Sequence, residues 1–133
     1  MGGRSSNSGL GNASRNATGG GLSPAQAEEV SRARDYNREV IEDFSDIFAG
    51  TYDDRAYTDP YFDIDEYEEN MNNLIRDARQ AVANMREEAS NKNFKYWSED
   101  LEWQETLDAA RLENIINDYE RDYRRQRLNS RRY

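Results

Sequence analysis

The sequence predicts an all-α protein, a three-helix antiparallel bundle behind a disordered Gly/Ser-rich N-terminal arm. Apolar residues recur at three- and four-residue steps over three long stretches. Each stretch opens on a side chain suited to capping a helix, and each gives way to a glycine or a polar run. The alternation that a strand requires is nowhere long enough to compete, so three amphipathic helices with short connections point to an up-down-up bundle.

Residues 1–22 are almost wholly Gly, Ser, Asn, Ala and Arg, which bury too little apolar surface to offset chain entropy, so they read as a flexible arm. The bundle is expected over residues 23–128. Ser23-Pro24-Ala25-Gln26 is a capping box with proline at the first helical position, where a missing N–H costs nothing. Val30, Ala33, Asn37, Val40, Ile41, Phe44, Ile47 and Phe48 then form one stripe, and Gly50 closes a first helix at about 24–49. A loop follows, bounded by Gly50 and Pro60, whose Tyr52, Tyr57, Tyr61 and Phe62 are expected to fold back onto the helices.

Asp63 caps a second helix, with Asp65 and Glu66 in the first turn, where the helix dipole favours acids. Its stripe of Ile64, Tyr67, Met71, Leu74, Ala78, Ala81, Val82, Met85 and Ala89 gives a helix at about 64–90. After Asn91-Lys92-Asn93 and the aromatics Phe94, Tyr96 and Trp97, Ser98 caps a third helix at about 99–128. Leu101, Trp103, Leu107, Ala110, Leu112, Ile115, Ile116, Tyr119 and Tyr123 are its expected apolar side, and residues 129–133 form a basic tail end.

The chain has 133 residues, 27 Asp+Glu against 18 Lys+Arg, a formal net charge of −9, and neither Cys nor His. Disulfides, thiolate metal sites and cysteine nucleophiles are thereby excluded, and so are the usual neutral-pH proton carrier and the commonest zinc ligand. No run of eighteen apolar residues and no apolar signal segment occurs, so a cytoplasmic protein with no membrane partner is expected. Asp63-Ile64-Asp65-Glu66-Tyr67-Glu68 fails the EF-hand pattern, since Tyr67 stands fifth and Glu68 replaces the glycine required sixth. Gly19-Gly20-Gly21 lacks the lysine and the strand-to-helix context of a phosphate loop. Gly2 fits a loose myristoylation pattern that composition accounts for, and Asn12 and Asn16 fit glycosylation triplets that are set aside for want of a secretory signal. No catalytic constellation, metal site or cofactor is expected, so the protein is read as a non-enzyme.

Charge sets this chain apart from an ordinary bundle. Residues 39–70 hold twelve acids and the single base Arg55, a net of −11, whereas residues 119–133 net +4. Glu39, Glu42, Asp43 and Asp46 are three or four apart, so on a helix their carboxylates repel one another at roughly 5–6 Å. Such repulsion is tolerated where the field is useful, and a row of carboxylates can imitate a nucleic-acid backbone before a basic groove. The expected contact surface therefore comprises Glu39, Glu42, Asp43, Asp46, Asp53, Asp54, Tyr57, Asp59, Tyr61, Asp63, Asp65, Glu66 and Glu69. Its partner would be a basic protein surface, most simply a nucleic-acid-binding protein, and not nucleic acid itself. The ends of opposite sign also leave a homodimer open.

The opening Met1-Gly2-Gly3-Arg4-Ser5-Ser6-Asn7-Ser8-Gly9 resembles the leaders of small phage and prophage proteins. The His-free, Cys-free acidic remainder, with Tyr and Asp interleaved from Thr51 to Tyr67, is similar in character to phage anti-restriction and anti-CRISPR proteins. That resemblance implies a phage-encoded inhibitor, working in the bacterial cytoplasm, that occupies the basic nucleic-acid groove of a host defence nuclease. The alternative is a small helical phage structural or scaffold component that self-associates or binds another virion protein.

Overall fold

The computed structural model describes residues 21–130, and over them the chain is all-α: α1 (Pro24–Thr51), α2 (Ile64–Ser90) and α3 (Glu99–Ser130), with no strand among the described residues. Apart from Gly21 and Leu22, the expected arm lies outside them, as do residues 131–133 of the expected tail.

The predicted caps form. The Ser23 hydroxyl accepts from the Gln26 amide at 3.1 Å, and the Gln26 side chain accepts from the Ser23 amide at 3.0 Å. Asp63 accepts from the Glu66 amide and Ser98 from the Leu101 amide, both at 3.1 Å. Two boundaries differ from expectation. Gly50 lies inside the last turn of α1, and the helix ends where Tyr52 turns extended while its amide still bonds the Phe48 carbonyl. α3 continues through Ser130, because its Arg-rich end is anchored by Tyr123 and Gln126 instead of fading into a tail.

α3 is the central strut and touches both other helices, whereas α1 and α2 meet each other least. α1 and α3 run parallel at a constant offset. Gln26 donates to the Trp97 carbonyl (3.0 Å), Asn37 to Asp108 (3.0 Å), and Phe48 stacks on Tyr119 at 4.9 Å. These ties recur every eleven residues, about three turns, so they return to nearly the same side of the helix. α2 runs antiparallel to α3, with Arg79 on Glu120 (2.6 Å), Arg86 on Glu113 (2.6 Å) and Tyr67 on Gln126 (2.8 Å).

The core is Phe48, Met71, Ala78, Val82, Met85, Leu112 and Ile116, closed at one end by aromatics. There Tyr67 meets Phe62, Tyr123 and Tyr57 edge-on at 5.5, 5.9 and 6.3 Å. Several residues of the expected apolar stripes stand outside: Ile47 is 50% exposed and Trp103 65%. Geometry explains Trp103, since two residues beyond buried Leu101 is 200° around the helix. Tyr61, expected to fold back, is 95% exposed, because the turn that bonds the Phe62 amide to the Asp59 carbonyl turns Phe62 inward instead.

Truncating buried Phe48 to Ala should cost about 3–5 kcal/mol, whereas Ile47→Ala, one residue away, should stay within about 0.5 kcal/mol. Urea unfolding followed by circular dichroism checks both; equal losses would mean that the face of α1 turned inward has been misassigned.

Candidate functional site

Asn37 and Phe48 are the only buried residues of α1, and Ile41 and Phe44 are half-buried on the same side. Turning that side inward sends Glu39, Glu42, Asp43 and Asp46 outward, and all four are exposed. They form a ridge about 10 Å long that contains no Lys or Arg. Nearer the N-terminus the helix does carry cations, where Arg32 pairs with Glu29 and Arg34 with Asp35 at 3.4 Å.

The acids of the α1–α2 loop behave differently. Asp53 takes the Arg55 guanidinium (2.8 Å) and amide (2.9 Å), and those hydrogen bonds hold its carboxyl down at about 2. Asp59 accepts from the Tyr61 amide at 3.0 Å, and Asp63 is the cap of α2. Tyr57 donates to Glu68 at 2.5 Å, and Arg127 reaches that carboxylate at 3.4 Å. Burial, followed by the bond to Glu68, pushes the Tyr57 phenol well above its usual range. Asp53, Asp59, Asp63 and Glu68 therefore shape the loop and its join to the helices. Asp54 is exposed and engages no partner among the described residues.

On α2, burial of Tyr67, Met71 and Leu74 turns Asp65, Glu66 and Glu69 outward, and all three are exposed. The end of α1, the loop and the start of α2 share one end of the bundle, where Asp53, Asp54, Tyr57, Asp59, Tyr61, Asp63, Asp65, Glu66 and Glu69 lie, whereas the α1 ridge stands level with Glu113 of α3 and Arg86 of α2, about 20 Å nearer the middle. They do not lie in one plane. The ridge of α1 lies along the flank of the bundle, whereas Asp54 and the acids of α2 form a collar around its end. Tyr61 projects from this collar, and Tyr57 lies half-buried inside it.

The arginines of α3 reach the same end but are largely taken up by their own helix. Arg121 pairs with Asp118 (3.4 Å) and Asp122 (3.3 Å), Arg124 with Glu120 (3.4 Å) and Arg125 with Asp122 (3.7 Å). Only Arg127 crosses to the segment 39–70. Eight of its carboxylates, Glu39, Glu42, Asp43, Asp46, Asp54, Asp65, Glu66 and Glu69, thus have no ion pair among the described residues.

Sequence reasoning missed a polar joint inside the bundle. Glu105 and Asp108 are each 2% exposed, on the inward side of α3 beside Gln104. Asn37 of α1 donates to Glu105 at 2.5 Å and to Asp108 at 3.0 Å, while Gln104 donates to both oxygens of Asp108 at 3.1 and 3.0 Å. Burial, together with Glu88 of α2, raises the Glu105 carboxyl from 4.5 to about 8, so it holds a proton at neutral pH. The signal was present: 101, 105, 108, 112 and 116 keep the three- and four-residue step of the buried side, which runs through two acids.

Among the described residues, no group of three or more His, Cys, Asp or Glu side chains is placed to hold a metal ion. No helix of the described chain is long and apolar enough to cross a membrane. No family model matches the chain, and neither a curated protein nor a solved structure matches it.

Two outcomes follow from the interior. A carboxyl whose folded value is raised from 4.5 to about 8 gives stability that is whole below pH 4.5 and is lost as pH rises through 8. Glu105→Gln keeps an acceptor for Asn37 and removes the ionisation, so it should gain on the order of 3 kcal/mol over the native chain between pH 5 and pH 9; a constant difference across that range refutes the assignment. Among the described residues the buried Tyr123 hydroxyl has no hydrogen-bond partner, so Tyr123→Phe should be neutral or stabilising by up to about 1 kcal/mol in thermal unfolding.

Proposed function

We propose that this is a non-catalytic binding protein whose acidic α1 ridge and collar occupy the basic nucleic-acid-binding groove of another protein, as a phage-encoded inhibitor of a host defence nuclease would in the bacterial cytoplasm. The observation that carries the reading is the set of eight carboxylates that have no ion pair among the described residues, while Arg121, Arg124 and Arg125 of α3 are engaged within their own helix. A chain that needed only internal compensation has the guanidinium groups to neutralise its collar. Among the described residues, Arg121, Arg124 and Arg125 sit instead on Asp118, Glu120 and Asp122, which leaves negative potential on the eight carboxylates.

The charges line one flank and one end of the bundle, and the aromatic core beneath that end holds it in shape. Electrostatic complementarity of this kind speeds encounter and selects the partner, and it weakens as salt rises. The scaffold alternative, joining acidic and basic ends of two copies, has less to draw on, because Arg121, Arg124 and Arg125 are already held within α3.

Reversal of Glu42, Asp43 and Asp46 to lysine should leave helicity intact and reduce capture of a nuclease from bacterial lysate by at least about tenfold. The native complex should dissociate between 50 and 500 mM salt and compete with duplex DNA. Undiminished capture by the reversed variant rejects the reading, and salt-labile oligomers of the chain alone on sizing chromatography would favour the scaffold alternative.

A further inference from the structure

We propose that the cleft between the α1–α2 loop and the end of α3 is a subsite for one arginine side chain of the basic partner. The inference builds on the binding reading above and names the residue type by which that partner is gripped. The cleft has a volume of about 460 Å3, and its lining includes Tyr52, Asp54, Tyr57, Asp122, Arg125 and Asn129.

Two tyrosines supply aromatic surface. Tyr52 leans on Tyr119 at 6.0 Å, and Tyr57 is fixed by its bond to Glu68, so both rings are held before any ligand arrives. Two carboxylates supply charge. Asp54 is exposed without a partner among the described residues, and Asp122 is shared between Arg121 and Arg125 at 3.3 and 3.7 Å. Those contacts are longer than the 2.7–2.9 Å of a strong charge-assisted bond, so Asp122 keeps capacity for a better donor. The two carboxylates act on the same place: after burial, Asp54 and Asp122 are what push the Tyr52 phenol upward.

The wall between them is rigid. Gln126 donates to the Asp53 carbonyl at 2.7 Å, Tyr67 donates to Gln126 at 2.8 Å, and the Asp53 amide donates to Tyr67 at 3.3 Å. This triangle pins the loop to α3, so little ordering cost falls on the ligand. Aromatic faces beside two acceptors suit a guanidinium, which stacks flat while its fork of donors reaches carboxylates; a compact, strongly hydrated ammonium does only the second. Arg125 already extends its guanidinium from the rim towards Asp122 at 3.7 Å, and an incoming arginine would displace that loose contact.

The test is a titration of the full chain with N-acetyl-arginine-N-methylamide, followed by amide NMR shifts, beside the lysine and alanine analogues. Saturable shifts centred on Asp54, Tyr57 and Asn129, at least about fivefold tighter for arginine than for lysine, are expected. Asp54→Asn should weaken the response about fivefold with unchanged circular dichroism, while Glu42→Gln on the α1 ridge leaves it as it was. Shifts that never saturate, that are equal for both cations, or that centre on the α1 ridge overturn the subsite. The lysine triple at 42, 43 and 46 leaves the cleft intact, which separates the two claims. Arginine response with capture unaffected by the triple sinks the ridge alone, and loss of capture in the triple with no arginine response sinks the subsite alone.

Discussion

Asn37 holds the rotation of α1. The helix buries only two side chains, and Phe48 alone would let the segment before it turn. An amide caught between Glu105 and Asp108 allows one azimuth, because its two N–H groups must meet two acceptors on a neighbouring helix. With that azimuth fixed, Glu39, Glu42, Asp43 and Asp46 have no direction left but outward. The surface charge is thus set by a polar contact in the interior, and leaving any member unpaired there would cost far more than the same loss at the surface.

The joint is also where desolvation of Glu105 prevails over the hydrogen bond from Asn37 that would favour its ionised form. Two carboxyls and two amides lie in one buried layer, an arrangement that like charge would make untenable if every acid were ionised. Retention of a proton on Glu105 relieves it, while Asp108 accepts from Asn37 and Gln104 and lies 3.8 Å from Arg111.

Caps and breaks made the helix positions legible. Ser23, Asp63 and Ser98 each sit where a side-chain oxygen must satisfy an amide that the helix cannot, and all three starts follow from that need. Side assignment was less legible where hydrophobicity and geometry disagreed. Trp103 and Ile47 are apolar yet point to water, and Glu105 and Asp108 are acidic yet buried. Residue type is a poor guide at such positions, because burial there is decided by partners 68 and 71 residues away. Charge density near the collar could be read directly, but its division into loop-building and unengaged acids could not, since it depends on Arg55, Arg127 and two backbone amides.

The fixed stagger between α1 and α3 constrains how this chain can change length. Gln26, Asn37 and Phe48 meet α3 like teeth at a common pitch, so one residue gained or lost between them would turn everything beyond it by about 100° and unmesh the rest. Only a whole multiple of the pitch, made in both helices together, would keep the gearing, whereas the connections at 52–63 and 91–98 are free of it. Size variation among descendants of this sequence should therefore accumulate in those two bends, a pattern that comparing natural variants would reveal or refute.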